Sequence, residues 1–140
     1  MSLTLTEARD EIMDLFTTAW TAGAPSVALH YWDLSADTPG AGNAAWAAIT
    51  ARWTLGNQRG FAIGPKRYER QGIVTVQIFT PFGSGLTEAD SLAKIAHDAF
   101  EGVDTPNGVW FRNVRVNTIG HSGEWFQTNV LAEFIYDEVK

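Results

Sequence analysis

Ile73-Val74-Thr75-Val76-Gln77-Ile78-Phe79-Thr80 is the stretch on which the fold turns. Its density of β-branched residues selects a strand. Both alternating phases carry apolar side chains, Ile73 and Phe79 on one and Val74, Val76 and Ile78 on the other. That predicts a strand inside a sheet rather than at its edge. Pro81, Gly83 and Gly85 end it. Upstream, Trp46 to Leu55 reads as a second strand, because Ala47, Ile49, Ala51, Trp53 and Leu55 alternate with Ala48, Thr50, Arg52 and Thr54. Its alanines also permit a helix. The segment between the two is broken by Gly56, Gly60, Gly64 and Pro65, so the pair reads as a long hairpin with an extended basic tip.

Outward from the hairpin, helices and further strands follow. Thr87 is expected to cap a helix with Glu88 and Asp90 in its first turn, where the helix dipole favours anions. Ala89, Leu92, Ala93, Ala96, Ala99, Phe100 and Val103 make its apolar face, and the alanines permit close approach to a sheet; Gly102 is its expected stop. Val109 to Asn117 is a further strand, and Gly120 to Gly123 supplies a turn. Trp125 to Asp137 is the last strand, with Phe126, Thr128, Val130, Ala132, Phe134 and Tyr136 on its apolar phase. At the other end, Thr4-Leu5-Thr6-Glu7 has the form of a capping box. Leu5, Ala8, Ile12, Leu15, Phe16 and Ala19 share one face of the helix it opens, which Gly23 and Pro25 close. Val27 to Trp32 reads as a short strand, and Ser35 to Ala45 as a loop.

Runs of strands joined by short turns imply an α+β fold, a mostly antiparallel sheet of about four to five strands with two helices packed on one face. The length of 140 residues suits a single domain spanning residues 1–140, and no repeat interrupts it.

Composition narrows the functional classes. There is no cysteine, which removes disulfides, thiolate metal sites and a cysteine nucleophile. Glu7, Asp10, Glu11 and Asp14 do not fit a signal peptide, and no apolar run approaches the ~20 residues of a membrane span, so a soluble protein with no membrane partner is expected. The net charge of −6 argues against general nucleic-acid coating. Yet Arg52, Arg59, Lys66, Arg67 and Arg70 crowd into one segment that holds a single acid, Glu69. That segment is either a solvated loop or a surface facing an acidic partner or DNA. If it is such a surface, Arg67→Glu with Arg70→Glu should leave the fold intact and impair assembly. Six tryptophans are more than one such domain need bury, and the surplus suits a subunit interface. The candidates for it are Trp46, Trp53, Phe82, Trp110 and Trp125.

The residues nominate no catalytic centre. His30, His97 and His121 fall in three different elements, and no Gly-x-Ser-x-Gly elbow accompanies them. His97 beside an apolar helical face reads as a partly buried surface residue. No His-x-x-x-His pair, Walker loop or dinucleotide fingerprint is present, and no carboxylate pair is singled out. The expectation is a protein that is not an enzyme, with no catalytic, cofactor-binding or metal-binding residues and no cofactor.

Four segments together carry a resemblance. They are Leu3-Thr4-Leu5-Thr6-Glu7-Ala8-Arg9, the run from Tyr68 through Gly72 and Phe79 to Gly83, Gly108-Val109-Trp110-Phe111-Arg112-Asn113-Val114-Arg115, and Asn129-Val130-Leu131-Ala132-Glu133-Phe134. The chain resembles small phage and prophage proteins similar in plan to the lambda-type tail terminators. The resemblance spans most of the chain and is weakest from Thr21 to Ala45. It implies a structural subunit of a phage, prophage or gene-transfer particle tail, made in the host bacterial cytoplasm and located in the virion tail. It further implies a ring, usually of six copies, that ends the tail tube and joins it to the head. Partners would be tail-tube and head-completion proteins, with DNA passing transiently through the lumen. The surplus tryptophans, and edge-to-edge pairing of the long final strand, are candidate contacts between copies. Arg52, Arg59, Lys66, Arg67 and Arg70 are candidates to line the lumen or face a partner. Three alternatives remain: another connector subunit (stopper or tube-like), a small-molecule-binding or enzymatic domain with an aromatic pocket near Trp32, Trp46 or Trp110, and a nucleic-acid binder using the basic segment.

Overall fold

A computed structural model describes residues 3–25, 27–31, 45–59, 66–81, 86–123 and 125–139. Helix α1 spans Leu5–Gly23 and opens on the expected capping box. The Glu7 backbone N–H donates to Thr4 Oγ1 at 3.2 Å, and the Thr4 N–H donates to Glu7 Oε1 at 3.0 Å. Strand β1 (Ala28–Tyr31) follows, then β2 (Trp46–Arg59), β3 (Arg67–Pro81), α2 (Thr87–Phe100), β4 (Trp110–Ser122) and β5 (Trp125–Val139). The five strands lie in the order β1-β2-β3-β5-β4. β3 is central, as its two apolar phases predict. All neighbours are antiparallel except β1 and β2, which run parallel from Ala28 opposite Trp46 to Tyr31 opposite Ile49.

Both helices cover one face of the sheet. Their spacing puts Ala8, Ile12, Phe16 and Trp20 of α1 and Leu92, Ala93, Ala96 and Phe100 of α2 in the core. The alternate positions Val74, Val76 and Ile78 of β3 and Val130, Ala132 and Phe134 of β5 meet them. Phe16 bridges the helices, stacked on Phe100 at 5.4 Å and on Trp20 at 5.5 Å. Fully burying a side chain of this kind stabilises by about 1.5–3 kcal/mol. The small residues of α2 let it approach the sheet, as read from the sequence. Gly102, at φ +73°, turns the chain just beyond it.

The structure corrects several boundaries. α2 begins at Thr87 itself, and its N-cap is Leu86 with no side-chain cap bond. β4 continues through Gly120 to Ser122, so the turn into β5 falls at the end of the expected one. Leu55 does not share the inward phase of Trp53. The β2–β3 register shifts between Trp53 and Leu55, and one added residue reverses the facing of all that follow. Leu55 is accordingly 46% exposed. A further boundary concerns β5. It is hydrogen-bonded to β3 along its length and to β4 only as far as Ile135, which confines the expected edge pairing of this strand to Tyr136–Val139.

Candidate assembly surfaces

Past the register shift, β2, β3 and β5 run on together as a three-stranded arm, from Gly56 to Arg59, Arg67 to Arg70 and Tyr136 to Val139. β4 stops pairing at Ile135 and β1 at Ile49, so neither accompanies the arm. The basic segment is thus mostly strand, and its members separate. Arg52 lies exposed on the helix-free face. There it lines a depression of about 380 Å3 with Thr50, Ile73, Thr75, Gln77 and Leu131. Arg59 pairs with Arg67 in register at the end of the arm. The Arg59 side chain lies outside the described set. Lys66 is exposed at the start of β3.

Arg67 and Arg70 are not free cations. Arg67 donates to Asp137 Oδ2 from Nε at 3.0 Å and from Nη2 at 2.6 Å. Arg70 pairs with Glu138 at 3.2 Å and lies 5.0 Å from the Tyr68 ring centre. The acids at the end of β5 therefore neutralise two members of the basic segment. The sequence hides this, because the partners are 70 and 68 residues apart.

The aromatic candidates divide three ways. Trp53 belongs to the helix-covered core. Its Nε1 donates to Tyr136 Oη at 2.9 Å, its ring meets Phe134 edge-on, and the Arg9 guanidinium sits 4.8 Å from its ring centre. Burial pushes the pKa of the Tyr136 hydroxyl above its usual value, opposed by the Trp53 bond. Trp46 and Trp125 form an aromatic cluster at the opposite end of the sheet. Trp46 stacks on Phe79 at 4.1 Å, and Trp125 and His30 meet it edge-on at 6.2 and 6.0 Å. The Trp46 Nε1 is buried with no hydrogen-bond partner among the described residues. Among the described members of the set Trp110 alone is exposed, at 45%, on the edge strand β4. Phe82 lies outside the described residues.

β4 is the open edge that sequence reasoning missed. Trp110, Val116 and Ile119 are all exposed along it. Two register shifts, at Arg112/Arg115 and Thr118/Gly120, break its ladder with β5. Asn113 lies inside the first, at φ 52°. The Asn113 amide donates to Glu133 Oε2 at 2.6 Å, and Arg112 and Arg115 each stand 3.4 Å from the same carboxylate. The Asn113 bond first, then the two cations, hold Glu133 below the usual carboxylate range, against a desolvation that acts the other way. Bulges and charges of this kind limit indiscriminate edge pairing.

His97, in the last turn of α2, has its ring nitrogens 3.2 Å from Asp98 and 3.1 Å from Glu101. Among the described residues no three His, Asp or Glu side chains form a group that could hold a metal. No helix among them is long and apolar enough to cross a membrane.

These surfaces sit on an α+β layer fold, a mostly antiparallel five-stranded sheet with two helices on one face. One solved structure, of a protein known by a serial designation alone, is similar to it with a TM-score of 0.68. The two are 15% identical, and the match covers 99% of this chain and 97% of that one. At this identity the likeness concerns the fold. No family model matches the chain, and no curated protein does.

Proposed function

We propose that this chain is a structural subunit of a long-tailed phage or prophage tail, assembling into a ring that ends the tail tube and joins it to the head. The observation that carries the reading is the presence of two unlike exposed surfaces on one small fold. One is the open β4 edge with its exposed Trp110, Val116 and Ile119. The other is the protruding arm that ends in Arg59, Lys66 and Arg67. A ring needs such a pair, because head-to-tail contacts use two different patches per subunit and close by rotation. The four sequence segments that resemble tail terminators support the same reading. Three of them fall on β3, β4 and β5, which supply the open edge and two of the three strands of the arm.

The test is genetic. Particles made without this protein should contain tail tubes of unregulated length, detached from heads, when viewed by electron microscopy. Tubes of normal length lacking only their heads would favour a stopper instead. Normal joined particles would overturn a tail role altogether.

A further inference from the structure

The helix layer carries a groove on its outer side, between α1 and α2. It has a volume of about 550 Å3 and is lined by apolar Leu15, Ala19, Val103 and Pro106. The ionisable residues that line it, Glu11, Asp14 and Asp98, are all acids. Asp98 is already bonded to Lys94 at 2.6 Å. Among the described residues Glu11 bonds only the neutral Asn107, at 2.5 Å, and Asp14 has no ion pair. The groove thus keeps a net negative character around an apolar lining.

The same chain holds a segment of matching chemistry. Between the ends of β2 and β3 the sequence runs Arg59-Gly60-Phe61-Ala62-Ile63-Gly64-Pro65-Lys66. Three apolar residues are bracketed by two cations, and the Arg59–Arg67 pairing holds the ends of the segment side by side. It cannot reach the groove of its own chain. Leu5 lines a depression with Trp53, Leu55 and Gly56, which fixes the start of α1 beside the base of the arm. From Trp53 to Arg59 the strand carries the segment roughly 20 Å further out, at about 3.3 Å per residue. Leu15 lies roughly 15 Å along α1 in the other direction, at 1.5 Å per residue. A six-residue connection that must go out and return spans at most about 10 Å of this gap of roughly 35 Å.

We infer that residues 59–66 of one copy dock in the α1/α2 groove of the next, the apolar centre on the apolar lining and the flanking cations on Glu11 and Asp14. This rests on the ring reading and deepens it, adding the α1/α2 groove to the β4 edge as what the arm of the neighbouring copy meets. Because arm and groove lie at different places on the fold, the contact is heterologous and propagates from copy to copy.

The absence of cysteine makes the test clean. Two full-length variants, Ile63→Cys and, in the groove lining, Ala22→Cys, one bearing a mass tag, are mixed and oxidised. A disulfide forms only where Cα atoms come within about 7 Å. Thr87→Cys, exposed at the end of α2 remote from the groove, serves as control in place of Ala22→Cys. The expected result is a tip-to-groove product exceeding the control product by about tenfold, through raised effective concentration. Adding Asp14→Lys to the groove variant should lower it, and adding Lys66→Glu to the tip variant should restore it. Tip-to-groove and control products in equal yield would overturn the docking. So would a yield indifferent to both charge reversals. Light scattering on the unmodified protein separates the two ideas. Rings without the cross-link sink the docking alone, whereas a cross-link with no species beyond a pair of copies sinks the ring.

Discussion

Gly72→Ala tests how the arm is anchored to the sheet. Gly72 is buried in central strand β3, opposite Trp53 of β2 and Phe134 of β5. An added Cβ would lie 2.3 Å from Phe134 Cζ and 2.4 Å from the backbone oxygen of Arg52. Carbon atoms rest at about 3.5–4.0 Å, so more than 1 Å must be found against the ring and somewhat less against the oxygen. The Phe134 ring is packed edge-on against Trp53, and the Arg52 carbonyl belongs to β2, so neither yields cheaply. Overpacking costs about 1–3 kcal/mol, and a backbone obstacle places this change at the upper end, about 3 kcal/mol. For a chain of this size each kcal/mol lowers Tm by roughly 3–5 °C, so Tm should fall by about 10 °C. Urea denaturation followed by tryptophan fluorescence measures the free energy directly. Adding Phe134→Leu removes one of the two obstacles, so the double variant should lose less than the sum of the singles. A loss below about 0.5 kcal/mol for Gly72→Ala would refute the reasoning, because the strand would then have room that the geometry denies.

Thr4→Ala should destabilise by about 1 kcal/mol by leaving the Glu7 N–H without its side-chain acceptor, and Glu7→Gln should cost less because the amide oxygen can still accept. Glu133 is held below its ordinary value of 4.5 in the folded chain, so its contribution is present above that pH and is lost as pH falls through the lower folded value. Glu133→Gln should therefore lower stability at neutral pH and flatten the acid limb of the stability profile; an unchanged limb would show that the Asn113–Arg112–Arg115 cluster does not stabilise the carboxylate. Arg67→Glu with Arg70→Glu turns two ion pairs into repulsions against Asp137 and Glu138, and should cost about 1–3 kcal/mol in chemical denaturation, most of it at the less exposed Arg70. That revises the sequence expectation of an untouched fold, so assembly defects in this variant must be read against its measured stability.

The elements were legible where one chain segment carries its own signal. The capping box of α1, the alanine face of α2, the two apolar phases of β3 and the alternation of β5 each arise from residues a few positions apart. What was not legible depends on distant partners. Nothing local says that Asp137 and Glu138 will neutralise Arg67 and Arg70, or that β5 will lie between β3 and β4. The inserted residue after Trp53 moved Leu55 to the other face, because a period of two has no memory across a bulge. That Trp53 packs against the helix-covered core was hidden for a similar reason. Its partners Arg9, Phe134 and Tyr136 come from opposite ends of the chain. The exposed row of Trp110, Val116 and Ile119 becomes a surface only once β4 is known to be an edge.

Solution mass, measured by light scattering across a protein concentration and salt series, tests the ring subunit reading most directly. The account predicts that the 15.4 kDa chain passes to one larger species of about six copies. It also predicts that the transition weakens as salt rises, because charged surfaces contribute to the contact. A monomer at every concentration that also fails to sediment with purified tail tubes would contradict it.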